Sequence, residues 1–154
     1  MIDFTLPPEV EDIRRRTREF VVQHVLPLET VPDSYDDHEN IRADLLEGLR
    51  AKAKREGLWA PQVSKARGGM GLPMTAQAVM YEEANRSIFG PVCFNAAAPD
   101  DGNMRVLEKL LGSEALKDKW LQPIVDGKVR GAFAMTEPRP GGGSDPTMIR
   151  TSAT

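Results

Sequence analysis

Candidate chemistry gathers near the C-terminal end of the chain, where Phe133 to Asp145 reads FAMTEPRPGGGSD. An apolar approach reaches a threonine hydroxyl at Thr136 and passes into a glycine loop that closes on Ser144 and Asp145. A strand can offer backbone groups and a hydroxyl to the polar edge of a ring, and the amides of a glycine loop can wrap an anion. Together they suit a reducible ring with a phosphate-bearing tail, as a flavin has. Taken alone, the pattern is equally that of a solvent loop, because glycine turns after strands are common.

Other chemistries lack their residues. No G-x-x-x-x-G-K-[ST] occurs, and neither GGMG nor GGGSD makes a G-x-G-x-x-G turn between strand and helix, which disfavours ATP-driven chemistry and a Rossmann domain. His24 and His38 lie far apart and are not paired with Cys93 at ligand spacing, so no metal site is expected. Ser144 lacks the G-x-S-x-G context of an activated nucleophile. Asp100 and Asp101 precede a helical stripe and read as caps that favour the helix dipole. Glu137 is a base in principle, but nothing in the sequence places a reactive carbon beside it. No catalytic residue is therefore assigned.

The 154 residues carry a net charge of -3, which gives no electrostatic reason for a nucleic-acid partner. The densest positive run, IRRRTR from Ile13 to Arg18, is surrounded by Glu9, Glu11, Asp12 and Glu19 and reads as a solvated helix face. A single cysteine, Cys93, between Val92 and Phe94, excludes an intrachain disulfide and suggests a buried thiol. No apolar run approaches the roughly 20 residues of a membrane span, and the first residues do not resemble a signal or transit peptide, so a cytoplasmic location, or a chain already processed, is expected.

Helices lead up to the C-terminal stretch. Val10, Ile13, Thr17, Phe20, Val21 and His24 recur at three- and four-residue steps after a proline start, and Pro27 is expected to end that helix in a polar linker. Leu45, Leu46, Leu49 and Ala53 mark a second helix closed by Gly57. Thr75 is expected to cap a third, with Ala76, Val79, Met80 and Glu83 on one stripe. GPVCFNAAAP reads as a buried segment, helical if regular. Two further amphipathic helices come next, through Met104, Leu107, Leu110 and Leu111, and through Leu116, Trp120, Leu121 and Ile124, the second bracketed by Ser113 and Gly127. Beyond Gly127 the period changes. KVRGAFAMTE and TMIRTSAT read as strands, and two strands need neighbours to be stable, so the tail is expected to begin a sheet that is cut short.

In this order and spacing, EVEDIRRRTREFV, GLWAPQVSKARGGMGLPM, AVMYEEANR, GSEALKDKWLQPIVDGKVRGAFAMTEP and the Ser144–Asp145 pair resemble the N-terminal portion of the acyl-CoA dehydrogenase family. NAAAPDDGNMRVLEKLLGSE further resembles its long-chain and hydroxyacyl-CoA branch, members of which are fused in some animals to kinase-like domains. The resemblance implies a mainly α fold, with an N-terminal helical domain over residues 1–129 and the first strands of a truncated middle β-domain over 130–154. It implies FAD, an acyl-CoA substrate, α,β-dehydrogenation to the trans-2-enoyl-CoA, electron-transferring flavoprotein or a similar acceptor, and a homo-oligomer. By the same resemblance Phe133, Ala134, Met135, Thr136, Gly143 and Ser144 would bind the cofactor, with Thr136 at the pyrimidine edge. Ser144 would also lie on the thioester side, whereas the family's catalytic base lies outside these residues. The alternative is a non-catalytic helical scaffold with a dehydrogenase-like fold. The family loop T-E-P-G-A-G-S-D is lengthened here to TEPRPGGGSD, and Arg139 is open between meeting a phosphate and facing water. VSKARGG, which replaces an acidic, aromatic loop, reads as a structural connection.

Overall fold

Proline at the first position of a helix sacrifices no hydrogen bond, and acids in the first turn meet the positive end of the dipole. Pro8, Glu9 and Glu11 begin α1 (Pro8–Phe20) in this way in the computed structural model, which describes residues 5–152. Its inner face buries Val10, Thr17 and Phe20. The expected stop at Pro27 is instead a change of winding. A π-helical turn, Val21–Val25, runs into 3-10 turns at Leu26–Thr30 and Pro32–Ser34, each with proline at its start, where no N–H is needed. The linker is thus a set of ordered turns, pinned where the Tyr35 hydroxyl donates to the Glu29 carbonyl at 2.8 Å.

α2 (Ala43–Arg55) buries Leu49 and Ala53 and stops at Gly57, whose φ of +67° a side chain would resist. α3 (Met74–Ala84) is capped by Pro73, which places Thr75 inside the first turn instead of at the cap. The buried faces of α1 and α3 meet, with Val10 on Ala76 and Val79. α4 (Gly90–Cys93) is only one turn of the expected buried segment. The chain then leaves helical geometry at Asn95, with φ of +56°, yet Cys93, Phe94 and Ala96 remain buried. α5 (Asp100–Leu110) buries Met104.

α6 (Glu114–Leu116), a π-helical turn over Lys117–Leu121, and α7 (Gln122–Val125) form one nearly continuous rod. Ser113 caps it by accepting from Leu116 N at 3.3 Å, and Gly127 (φ +75°) ends it. The π turn inserts a residue and re-phases the expected stripe: Leu121 and Ile124 are buried, while Leu116 and Trp120 are 43% and 55% exposed.

The core gathers Phe20, Val21, Leu58, Met80, Phe94, Met104 and Leu121, with the Phe20 and Phe94 rings 5.0 Å apart. Buried polar groups lock the irregular segments into it. Trp59 Nε1 donates to Val125 O at 2.8 Å, Gln62 Nε2 to Asn95 O at 3.0 Å, and Asn95 Nδ2 to Ile124 O at 2.9 Å. Among the described residues no helix is long and apolar enough to cross a membrane.

The strands expected in the tail are absent among the described residues. KVRGAFAMTE opens on a bend at residues 128–129 and then has no regular secondary structure or ladder, and TMIRTSAT begins within a 3-10 turn (Pro146–Met148) and is irregular to residue 152; its last two residues lie outside the described range. A strand exists only by pairing, and this chain supplies the described part of the tail with no partner strand.

Candidate functional site

The candidate site lies on the segment that leaves the helical body after α7. Its departure is fixed at Asp100, which is 2% exposed. The Asp100 carboxylate accepts from Arg130 Nε through one oxygen and from the Gly131 backbone N–H through the other. Asn103 Nδ2 adds a donor to Ala132 O at 3.4 Å. The reading of Asp100 as a helix cap is therefore corrected: its oxygens face the tail, because Arg130 and Gly131 offer a cation and a free amide beside the first turn of α5. Asp101 does turn back on its own helix, accepting from Gly102 N at 2.7 Å.

Past this point the backbone has no regular secondary structure through Thr136. Phe133 is 72% exposed, Ala134 and Thr136 are exposed and Met135 is half-buried. No backbone pairing is made by Phe133, Ala134, Met135 or Thr136 among the described residues. A hairpin-like closure then brings Glu137 N to Gly143 O at 2.9 Å. It sets Thr136 and Ser144 on either side of the closure, so the structure draws these two predicted residues near one another while Phe133 stands apart.

Glu137 organises the loop beyond the closure. Its carboxylate accepts from Gly142 N at 3.0 Å, Arg150 N at 3.0 Å, Thr151 N at 2.6 Å and the Thr151 hydroxyl. The Thr151 hydroxyl and these amides hold its pKa down to about 2, so the group is a fixed anion. It is a loop-closing acceptor with its oxygens already engaged, the wrong state for a general base. Asp145 is lowered as well, by the Thr147 hydroxyl at 2.7 Å and the Thr147 amide at 2.9 Å.

The glycines serve this closure. A Cβ on Gly141 would lie 2.6 Å from a Glu137 carboxylate oxygen, and one on Gly142 2.6 Å from Met148 O. Gly143 turns through φ +61°. Two loop amides that the sequence offers to an anion are already used, Gly141 N by Pro138 O at 2.8 Å and Gly142 N by Glu137. Arg139 is exposed.

The remaining sequence candidates are structural. Cys93 is buried, and burial pushes its thiol up to about 12, which leaves it protonated and unreactive. Among the described residues no three His, Cys, Asp or Glu side chains are grouped to hold a metal. Arg18 lies on the exposed face expected of that run, and from it the guanidinium reaches across to the buried Glu83, 2% exposed, with bonds of 2.9 and 2.5 Å. In the VSKARGG loop Arg67 binds Glu114 and, at 2.6 Å, Asp118, tying the loop to the last helical rod. An open cleft of about 660 Å³ lies beside this loop, lined by Arg16, Lys54, Trp59, Lys65 and Arg67.

Sequence reasoning missed Asp100, Arg130 and Glu137 as the residues that shape the site. Apart from Gly142, five positions from Glu137, their partners come from 13 to 31 positions away, and no local spacing reports such pairs.

The sequence pattern of the acyl-CoA dehydrogenase N-terminal domain matches residues 7–128. Acyl-CoA dehydrogenase family member 11 of Gallus gallus is 37% identical over 137 residues, covering 83% of this chain and 17% of that protein. Probable acyl-CoA dehydrogenase FadE2 of Mycobacterium tuberculosis is 35% identical over 144 residues, covering 89% of this chain and 34% of its own length. A solved structure assigned to the acyl-CoA dehydrogenases, from Mycobacterium abscessus, superposes with a TM-score of 0.76 at 34% identity, over 94% of this chain and 38% of that one. The chain therefore spans between 17% and 34% of the length of these two curated relatives.

Proposed function

Given that the chain belongs to the acyl-CoA dehydrogenase family, we propose that it forms the N-terminal helical domain (1–129) and the opening of the middle β-domain (130–154) of a FAD-dependent oxidoreductase. The reaction is α,β-dehydrogenation of an acyl-CoA thioester to the trans-2-enoyl-CoA. Bound flavin supplies the two-electron acceptor for the hydrogen leaving the β-carbon. The base that takes the α-proton lies outside these residues, so the 154-residue chain alone is inactive. Electrons pass onward to electron-transferring flavoprotein or a similar acceptor, and the enzyme is a cytoplasmic homo-oligomer.

The observation that carries this reading is the unpaired, irregular backbone from Phe133 to Thr136. Its N–H and C=O groups and the Thr136 hydroxyl are the donors and acceptors a flavin's pyrimidine edge requires. These residues fit that ring because, among the described residues, no other backbone group consumes them. Ala134 and Met135 give the ring an apolar flank, with Phe133 exposed beside it. Gly143 and Ser144, at the closure beside Thr136, face the pyrophosphate or the thioester side.

The test is a purified, folded product of the reading frame that contains this chain. It should carry a flavin spectrum that bleaches anaerobically on addition of an acyl-CoA, and Thr136→Ala should lower FAD retention several-fold, the loss of the neutral hydrogen bonding of one hydroxyl. A well-folded product that stays colourless when supplied with FAD overturns the reading.

A further inference from the structure

We propose that Asp100 is a positioning residue that sets the line along which residues 131–136 leave the helical body, with the Gly131 amide as its counterpart. The consequence for cofactor binding rests on the flavin reading of Phe133–Thr136, but the geometry stands alone. Asp100 is the first residue of α5 and is 2% exposed, whereas Arg130 is about half exposed and Phe133 is 72% exposed. A buried carboxylate is retained only where its oxygens are satisfied, and both are satisfied here by the tail: one by Arg130 Nε, the other by Gly131 N.

Close approach is a second, independent constraint. A Cβ on Gly131 would lie 2.7 Å from Asn103 Nδ2 and 3.0 Å from Asp100 Oδ1, so a side chain there would push aside the two groups of α5 that hold the tail. Asn103, one turn along the helix, donates through Nδ2 to Ala132 O at 3.4 Å. Three consecutive residues, Arg130 to Ala132, are thus clipped to one helical turn, and the flavin-facing groups begin at the next residue. The rigid α5 becomes the ruler for their placement, which fits the need for donors to be held in place before the ring arrives.

The clip is tested on the 154-residue chain by amide exchange and heteronuclear NOE measured residue by residue. In the wild type the Gly131 amide should exchange at least about tenfold more slowly than that of Phe133. Asp100→Ala should abolish that protection and lower the NOE over 131–136, while the amides of Met80 and Leu121 in the core stay protected. Asp100→Asn, which keeps one acceptor oxygen, should restore part of the Gly131 protection. Gly131→Ala approaches from the other side and should loosen the same six residues with Asp100 intact, which decides the matter if Asp100→Ala fails to fold. Unchanged exchange at position 131 in a folded Asp100→Ala or Gly131→Ala protein overturns the proposal. So does loss of protection throughout the core in both, because Asp100 would then hold the fold and not the segment. In the flavin-loaded protein both variants should also lose FAD several-fold faster. A folded wild-type product of the reading frame that contains this chain and never binds FAD sinks the flavin reading while leaving the Gly131 measurement to decide the clip.

Discussion

At the scale of single residues, the carboxylates divide by what satisfies them. Glu83 is buried and bonded to Arg18, which lowers its pKa below the usual carboxylate value. Its contribution to stability is therefore complete above the unfolded-state pKa near 4.5 and is lost as pH falls through the lower folded value. Glu83→Ala should cost about 1–3 kcal/mol at pH 7, less than a fully enclosed pair because Arg18 is half exposed and can rehydrate. Urea midpoints measured at pH 7 and at pH 3 check this, and the gap between wild type and variant should narrow at the lower pH. Glu137 differs, since it is only partly buried and orders only its own loop. Glu137→Gln should raise amide exchange at Gly142, Arg150 and Thr151 and leave the thermal midpoint nearly unchanged. With its pKa near 2, the loop should stay closed in the wild type down to about pH 3, where a pH series of the same amides would show it.

At the scale of elements, junctions carry the constraints. The turn between α3 and α4 is so tight that a Cβ on Gly90 would lie 1.8 Å from Ala84 O. Backbone cannot give way as a flexible side chain can. Gly90→Ala should therefore destabilise by about 3 kcal/mol, read as a lower urea midpoint with unchanged slope. By contrast, Gly48 lies within α2 with nothing within 4 Å of its would-be Cβ, so Gly48→Ala should stabilise by about 0.5–1 kcal/mol through helix propensity. The two π-helical turns, Val21–Val25 and Lys117–Leu121, are the places where the three- and four-residue stripe slips phase. They explain why Trp120 faces outward although its spacing marks it for the core.

At the scale of the whole molecule, the two tryptophans report different things. Trp59 is 5% exposed and bonded through Nε1 to Val125 O, joining the 58–63 segment to α7, whereas Trp120 is 55% exposed. Trp120→Phe should leave stability within about 0.5 kcal/mol. Trp59→Phe should cost about 1–3 kcal/mol and remove most of the red shift in fluorescence on unfolding. The apolar residues left outside, Leu110 at 76% and Val106 at 53% on one face of α5, with Ile88 at 70% and Phe133 at 72%, form no part of the core of these residues.

The helical order, the glycine stops at Gly57 and Gly127, the cap at Ser113 and the buried thiol of Cys93 were all legible in the sequence, because each arises from periodicity or from chemistry within a few residues. So was the adjacency of the threonine and the glycine loop along the chain. Folding alone joined the exposed Arg18 to the buried Glu83, set Asp100 on Gly131, closed the glycine loop on Glu137 and left the expected strands without a ladder. Those outcomes depend on groups brought together from distant positions, and a strand or a buried charge takes its state from the partner that the tertiary structure delivers.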